Sequence, residues 1–266
     1  MKTQLIKLFF GALIAYGLSY VQVEAQVTGP TINIGTGNST PGSGTYGGVL
    51  GQSNSASGYC CYSLGLGNNV TSGNNASVAL GANNNVTAST AGAWGQNNSI
   101  YPVANYSIAL GLYNYIFGAA SYAFGDNNIV NGNFSLAEGY YSTAAGNYCI
   151  AMGYSANATG TYSMATGYQT KTYGAVSTAF GNTTTANSYA DVAIGQYNLG
   201  TYTSTRTWVA TDPVFEIGNG TLSGTTVLAS NAFTVYKNGN VQAHGVVRCA
   251  AGGDLSMGSY TAGTAP

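Results

Sequence analysis

The chain has 266 residues, enough for one or two domains, yet only 5% are charged while 39 are Gly and 22 are Tyr; that composition excludes an average globular enzyme. A hydrophobic content of 45% argues equally against disorder, which goes with too little apolar surface to offset chain entropy. The formal net charge of −1 provides no basic patch, so no nucleic acid and no anionic lipid surface is expected as a partner.

Lys2 and Lys7 precede an apolar run from Leu8 to Leu18, and Val23-Glu24-Ala25 ends in a small residue ahead of Gln26. These are the parts of a secretory signal peptide over 1–25, because the apolar run is too short to span a bilayer. Removing Lys2, Lys7 and Glu24 from six basic and seven acidic residues leaves four and six, a formal charge of −2. No later apolar run is long enough for a membrane anchor in the mature chain, so a secreted or cell-surface location is expected. Residues 26–48, rich in Gly, Thr, Asn and Ser with Pro30 and Pro41, read as a linker or a degenerate first coil. The phrase TINIG at 31–35 lies 16 residues ahead of Gly51 and would be that copy.

From 49 to 200 a phrase of the form Ser-x-Ala-x-Gly recurs: SVALG at 77–81, SIALG at 107–111, SYAFG at 121–125, SLAEG at 135–139 and DVAIG at 191–195. The closing glycines from Gly111 to Gly195 are 14 residues apart; Gly51, Gly67, Gly81 and Gly95 extend the series with steps of 16, 14 and 14, and Gly95 to Gly111 is another 16. So strict a period means one supersecondary unit copied along an axis. Ala stands two places before the glycine from Ala79 to Ala193, and Ser stands four places before it at Ser63, Ser77, Ser107, Ser121, Ser135, Ser163 and Ser177. Side chains alternate along a strand, so both columns share one face, which must border a narrow space. The other face carries Val78 and Leu80, Ile108 and Leu110, Tyr122 and Phe124, Ile150 and Met152, Val192 and Ile194.

Fourteen residues accommodate two strands of four or five residues and two tight turns, while the turn-forming residues between copies exclude helix. The expected fold is all-β, a parallel β-roll or solenoid of 14-residue coils followed by a β-hairpin cap. Eleven coils stacked at about 4.8 Å build a rod roughly 50 Å long. Its bulky face points outward as a continuous apolar stripe, which marks an association surface closed by cyclic symmetry.

Phrases such as SVALG, SIALG and DVAIG in 14-residue register resemble the head repeats of trimeric autotransporter adhesins. The resemblance covers roughly Gly51 to Gly195 and implies a left-handed β-roll, three chains side by side, and an adhesive, non-enzymatic role on a surface fibre. A glycan or surface-protein receptor would be the partner. The coiled-coil stalk and membrane-embedded barrel segment of that family have no counterpart in this sequence, so a self-anchored autotransporter is not expected.

Residues 201–248 leave the repeat. DPVFEIGNG at 212–220 and NAFTVYKNGNVQAHGVV at 231–247 resemble the closing module of secreted or phage-tail-like fibres. Asn238-Gly239 between Phe233–Tyr236 and Val241–Ala243 predicts a type I′ hairpin capping the last coil. Residues 249–266 read as a flexible Gly/Ala/Ser/Thr tail.

Site chemistry is sparse, and no cofactor, metal or catalytic residue is expected. His244 is the only histidine, with no nucleophile or acid tied to it. Lys171 and Asp191 alone do not make a lyase centre. Cys60, Cys61, Cys149 and Cys249 form neither a zinc spacing nor a disulfide framework, though interchain cross-links through Cys60, Cys61 or Cys249 suit an oxidising compartment. Residues expected on a trimer axis are Glu138, Thr166, Leu110, Phe124, Met152, Phe180 and Ile194. Three converging Glu138 carboxylates would need water, a proton or a cation, and Thr166 lies further along. Tyr140, Tyr154 and Tyr168 share one column, and Tyr148 and Tyr162 another, so each should form an aromatic ladder suited to a glycan or protein surface, or to stabilising the roll. Ten Asn-x-Ser/Thr sequons, including Asn69, Asn75, Asn133 and Asn157, matter only in a glycosylating host. A structural fibre without ligand is the alternative function. An ice-binding solenoid would show a regular Thr column; the column read as Thr71, Asn85, Ile100, Tyr115, Ile129, Thr143, Asn157, Lys171 and Thr185 is mixed.

Overall fold

The computed structural model describes residues 24–28, 31–40, 47–71 and 76–245. Residues 1–23, which carry nearly all of the expected signal peptide, and 246–266, which carry Cys249 and the expected tail, lie outside the described residues. The described elements are all strands. Glu24–Thr28 pairs antiparallel with Thr31–Thr36, Ala25 opposite Ile34, so cleavage after Ala25 would remove two of that strand's five residues.

A repeating coil consists of one five-residue strand and one two-residue strand, as in Ile108–Leu112 and Tyr115–Ile116. The second strand is shorter than the sequence suggests because the corners consume more backbone than tight turns would. From Tyr106 to Tyr197 every seventh residue, including Tyr113, Ala120, Phe134 and Val176, has a positive φ between 45° and 62°. Left-handed backbone costs an L residue on the order of 1 kcal/mol. Here each such residue donates its N–H to the preceding coil: Tyr113 to the Gln96 carbonyl at 3.0 Å, Ala120 to Asn105 at 2.7 Å, Asn127 to Leu112 at 2.9 Å.

The long strands stack in parallel and in register within a sixteen-stranded sheet, and the short strands form a ten-stranded sheet. Glycine lies on glycine throughout, Gly111 beside Gly95 and Gly125. At Gly139 φ is +113°, and a Cβ there would fall onto the Gly153 carbonyl oxygen; the position admits only glycine, for conformation and for space.

One coil differs from the spacing read in the sequence. Gly65, not Gly67, pairs with Gly51 and Gly81, so the 16-residue step falls between Gly65 and Gly81. Gly65 has the column's φ of +123°, whereas Gly67, at +63°, belongs to the corner that follows. Ser63 consequently moves into the alanine column, opposite Ala79, and buried Cys61 lies four places before Gly65. The outward column of short strands likewise runs Asn69, Asn85, Ser99, Tyr115, not through Thr71 and Ile100; Ile100 points into the core with no exposure. In the coil from Gly95 to Gly111 the extra residues sit at the turn around Pro102 and Val103, closed by the Ala104 N–H donating to the Tyr101 carbonyl at 2.9 Å.

The core is thin. Ala79, Ala93, Ala109, Ala123 and their successors are fully buried, facing Val86, Ile100, Ile116 and Val130 from the short strands. Beyond Val130 the facing residues shrink to Ala144, Ala158, Thr172 and Ala186.

Between the two sheets runs a feature the sequence reading missed, a ladder of buried asparagines three places after the glycine: Asn54, Asn68, Asn84, Asn98, Asn114 and Asn128. Asn98 shows the pattern. Its Nδ2 donates to the Trp94 carbonyl at 3.2 Å, the Gly111 carbonyl at 2.8 Å and Asn84 Oδ1 at 2.9 Å. Its Oδ1 accepts the backbone N–H and Nδ2 of Asn114, both at 3.0 Å. Burial of an amide is tolerated only when its donors and acceptors are satisfied, and this ladder meets that condition.

The last coil is covered by further strands. Pro213–Asn219 pairs in parallel with Val192–Gln196, Gly218 opposite Gly195. Asn231–Tyr236 then pairs with it antiparallel, and Val241–Ala243 forms the outer edge. The hairpin turn is not type I′. Asn238 keeps a negative φ and only Gly239 is left-handed, at +85°; the Gly239 N–H donates to the Tyr236 carbonyl at 2.9 Å. A type I turn with a left-handed glycine follows from this. It is held by Asn238 Oδ1, which accepts the Asn240 N–H at 2.9 Å.

Candidate functional site

The outward face of the long-strand sheet brings the expected axial residues into one column: Leu110 beside Phe124, Phe124 beside Glu138, then Met152, Thr166, Phe180 and Ile194. Alternation explains the placement, since these residues precede the glycine by one and so oppose the buried alanines. In the single chain the column is open: Leu80 is 42% exposed, Leu110 41% and Phe180 57%. Glu138 is exposed on the same face. A neighbouring column adds exposed Tyr62, Tyr122 and Met164. The stripe is apolar along nearly its whole length, with Glu138 its one carboxylate.

Both tyrosine columns form ladders. Tyr140 and Tyr154 have ring centroids 5.4 Å apart, and Tyr154 and Tyr168 are stacked at 5.0 Å. Tyr148 stacks on Tyr162 at 4.9 Å and on Phe134 at 5.1 Å, so the second ladder is one ring longer than the sequence indicated. The strand register sets this spacing in both. Stacked rings cover one another's faces and leave edges outward, which favours the stabilising role over a flat platform for a sugar. The ladders stand apart in the coil, one just after the glycine and the other at the corner before the long strand.

Among the described residues the cysteines form no disulfide. Cys149 is buried in the serine column, where its thiol donates to the Gly146 carbonyl at 2.8 Å; burial raises its pKa. Cys61 is 1% exposed, so its thiol is buried within the single chain, while Cys60 is half-buried. His244 is exposed at the cap, its N–H donating to the Ala232 carbonyl at 2.9 Å.

A buried polar cluster at the junction of roll and cap escaped the sequence reading. Glu216 takes the place of an alanine in register with Ala193 and is fully buried. Its carboxylate accepts from Asn198 Nδ2 at 2.9 Å and Asn231 Nδ2 at 2.7 Å. Asp191, in the serine column, is also fully buried; its Oδ2 accepts the Asn187 N–H at 3.1 Å, and its Oδ1 has no partner. Burial and then repulsion from Glu216 push the Asp191 pKa up to about 7. Burial likewise raises Glu216, against the two asparagine hydrogen bonds. Lys237 approaches from the hairpin, donating to Ser188 Oγ at 3.1 Å beneath the Trp208 ring at 5.3 Å. Its pKa is lowered by burial, against the pull of Asp212 and Asp191. The sequence signal was an acidic residue in two columns otherwise made of small or apolar uncharged residues. Among the described residues no group of three His, Cys, Asp or Glu is placed to hold a metal ion.

The comparison with known families agrees with the geometry. No curated protein matches the chain. The model of the YadA head domain repeat matches two copies, at residues 118–142 and 144–170. Over residues 118–142 and 144–170 the chain is therefore similar to YadA head domain repeats, the head repeats of trimeric autotransporter adhesins.

Proposed function

We propose that the mature chain is a non-enzymatic, three-chain extracellular fibre head that attaches to a cell surface, matrix or glycan. The supporting observation is the apolar stripe from Leu80 to Ile194, on which Leu80, Leu110 and Phe180 are exposed and Phe124, Met152 and Ile194 only half-buried. Burying such a stripe contributes roughly 25 cal/mol per Å² of apolar surface, and three-fold closure lets each chain cover another's stripe without leaving an edge. A secreted or surface location follows from the N-terminal leader expected over 1–25.

The deciding measurement is the solution mass of the chain beginning at Gln26, by light scattering. Three times the protomer mass is expected, and a clean monomer overturns the reading. Adhesion of the folded trimer to cells or immobilised glycans then separates attachment from the second reading, a purely structural fibre. That second reading is favoured by the edge-out stacking of both aromatic ladders.

A further inference from the structure

On the turn side of the roll, the loop following the last coil folds back over earlier coils. The Thr205 carbonyl accepts the Ala175 N–H at 2.8 Å, and the Ser204 carbonyl accepts that of Tyr189 at 3.0 Å. In preceding coils this corner is serviced by asparagines. Asn105 Oδ1 accepts the Ser89 N–H at 2.9 Å, Asn133 that of Ala119 at 2.8 Å, and Asn147 that of Asn133 at 2.9 Å. The series lapses at Thr161 and Ala175, where the loop takes over and leaves a step in the surface. That step is a cleft of about 330 Å³, lined by Thr159, Thr161, Tyr173, Thr205 and Arg206.

Its lining is specific in chemistry. Arg206 is exposed, and the described carboxylates nearest in sequence are committed elsewhere. Asp212 is buried and accepts the Thr203 and Ser204 amides at 2.6 and 3.0 Å, while Glu216 is held by its two asparagines. Tyr173 is 43% exposed. Thr159 Oγ1 spends its proton on the Thr172 carbonyl at 2.8 Å, which leaves it an acceptor. Lys171, also exposed, lies two residues before Tyr173 and adds a second positive charge to this stretch of the chain. An unneutralised guanidinium fork matches a carboxylate, a tyrosine ring matches the C–H face of a pyranose, and threonine hydroxyls match sugar hydroxyls. The volume is at the low end for small-ligand clefts and suits one sugar ring. The cleft is lined by corner residues and by the loop, none of them a member of the apolar stripe.

We propose that this cleft binds a carboxylated sugar residue of the uronic acid type. The proposal rests on the glycan arm of the attachment reading and names its chemical class. The test is titration of the mature chain with sodium glucuronate, glucose and sodium acetate, followed by ligand-observed NMR. Glucuronate is expected to bind, acetate more weakly and glucose not at all. Arg206→Gln should weaken glucuronate about tenfold or more, since a charged hydrogen-bond pair is lost. Arg206→Lys should recover part of it, and the melting temperature should not move because Arg206 is exposed. Equal binding of glucuronate and glucose, no binding of either, or an unchanged affinity in Arg206→Gln overturns the cleft. An Arg206→Gln trimer that loses glucuronate but still adheres to cells keeps the cleft as a sugar site and removes it from attachment. Wild type that binds glucuronate but adheres to nothing spares the cleft and sinks attachment.

Discussion

The Oδ1 of Asn128 accepts the backbone N–H of Ser142 at 2.9 Å, and with that bond the asparagine ladder ends. Ser142 still reaches the Gly153 carbonyl at 3.0 Å, but Ala156, Thr170 and Thr184 follow in the same column. Thr170 and Thr184 have hydroxyl oxygens buried without a partner. The serine column changes at the same place. Ser107, Ser121 and Ser135 donate across to the turn of the next coil, at Gly118, Gly132 and Gly146. Cys149, Ser163 and Ser177 turn instead to Gly146, Gly160 and Gly174 of their own. The roll thus has two halves with different internal bonding.

Deleting one ladder amide should show what the first half depends on. Asn98→Ala strips partners from the Gly111 carbonyl and from Asn114 in a place closed to water, and should cost about 3 kcal/mol. Thr170→Asn should work in the other direction. The new amide meets the Thr166 and Gly181 carbonyls and the Thr184 N–H, and should add about 1 kcal/mol. Chemical denaturation of both variants is the check, and opposite signs are required.

Gly139→Ala should prevent folding of the central coils. The added methyl meets the Gly153 carbonyl in a backbone at φ +113°, a conformation alanine rarely adopts. Circular dichroism and limited proteolysis would reveal the loss. A folded, protease-resistant Gly139→Ala rod would mean that glycine's stacking is dispensable.

The apolar stripe offers a solution test. Leu110→Lys and Phe180→Asp place charges where three chains are proposed to meet, and either should shift the trimer mass toward monomer while the β signal is retained. Glu138→Leu should raise the trimer melting temperature if that coil is dry on the axis; no gain would place water there.

The junction of roll and cap should respond to pH with a defined sign. Asp191 titrates near 7 when folded and near 4 when unfolded. The folded state therefore binds more protons across that window, and stability falls as pH rises from about 4 to 7. The charged groups acting on it are Glu216 and Lys237, and Asp212 acts in turn on Lys237. Asp191→Asn imitates the protonated acid and should flatten this part of the melting profile, gaining most at pH 8. Identical profiles for wild type and variant would assign the dependence to Glu216.

The sequence made the coil legible through repetition itself: Ala109, Ser107 and Gly111 recur because each meets its own copy above and below. What stayed hidden had no single-residue signature. The left-handed corners fall on Tyr113, Phe134 and Val176, residues that do not ordinarily mark such backbone, and only the hydrogen bond to the neighbouring coil selects it. The asparagine ladder was masked because asparagine also suits exposed turns, so its spacing looked like turn chemistry. The error at Gly67 arose because two glycines lie two residues apart and only the paired strands distinguish them. Arg206 was invisible as a site because its neighbours Thr159 and Tyr173 are brought to it by a loop that reverses direction.

The coil that takes two surplus residues at Pro102 and Val103 returns to the same register at Gly111. Val103 is 68% exposed at its tip. Length can therefore be added at this one corner while both sheets continue as if nothing had been inserted, which makes it a ready attachment port for a peptide tag or a longer recognition loop along the shaft.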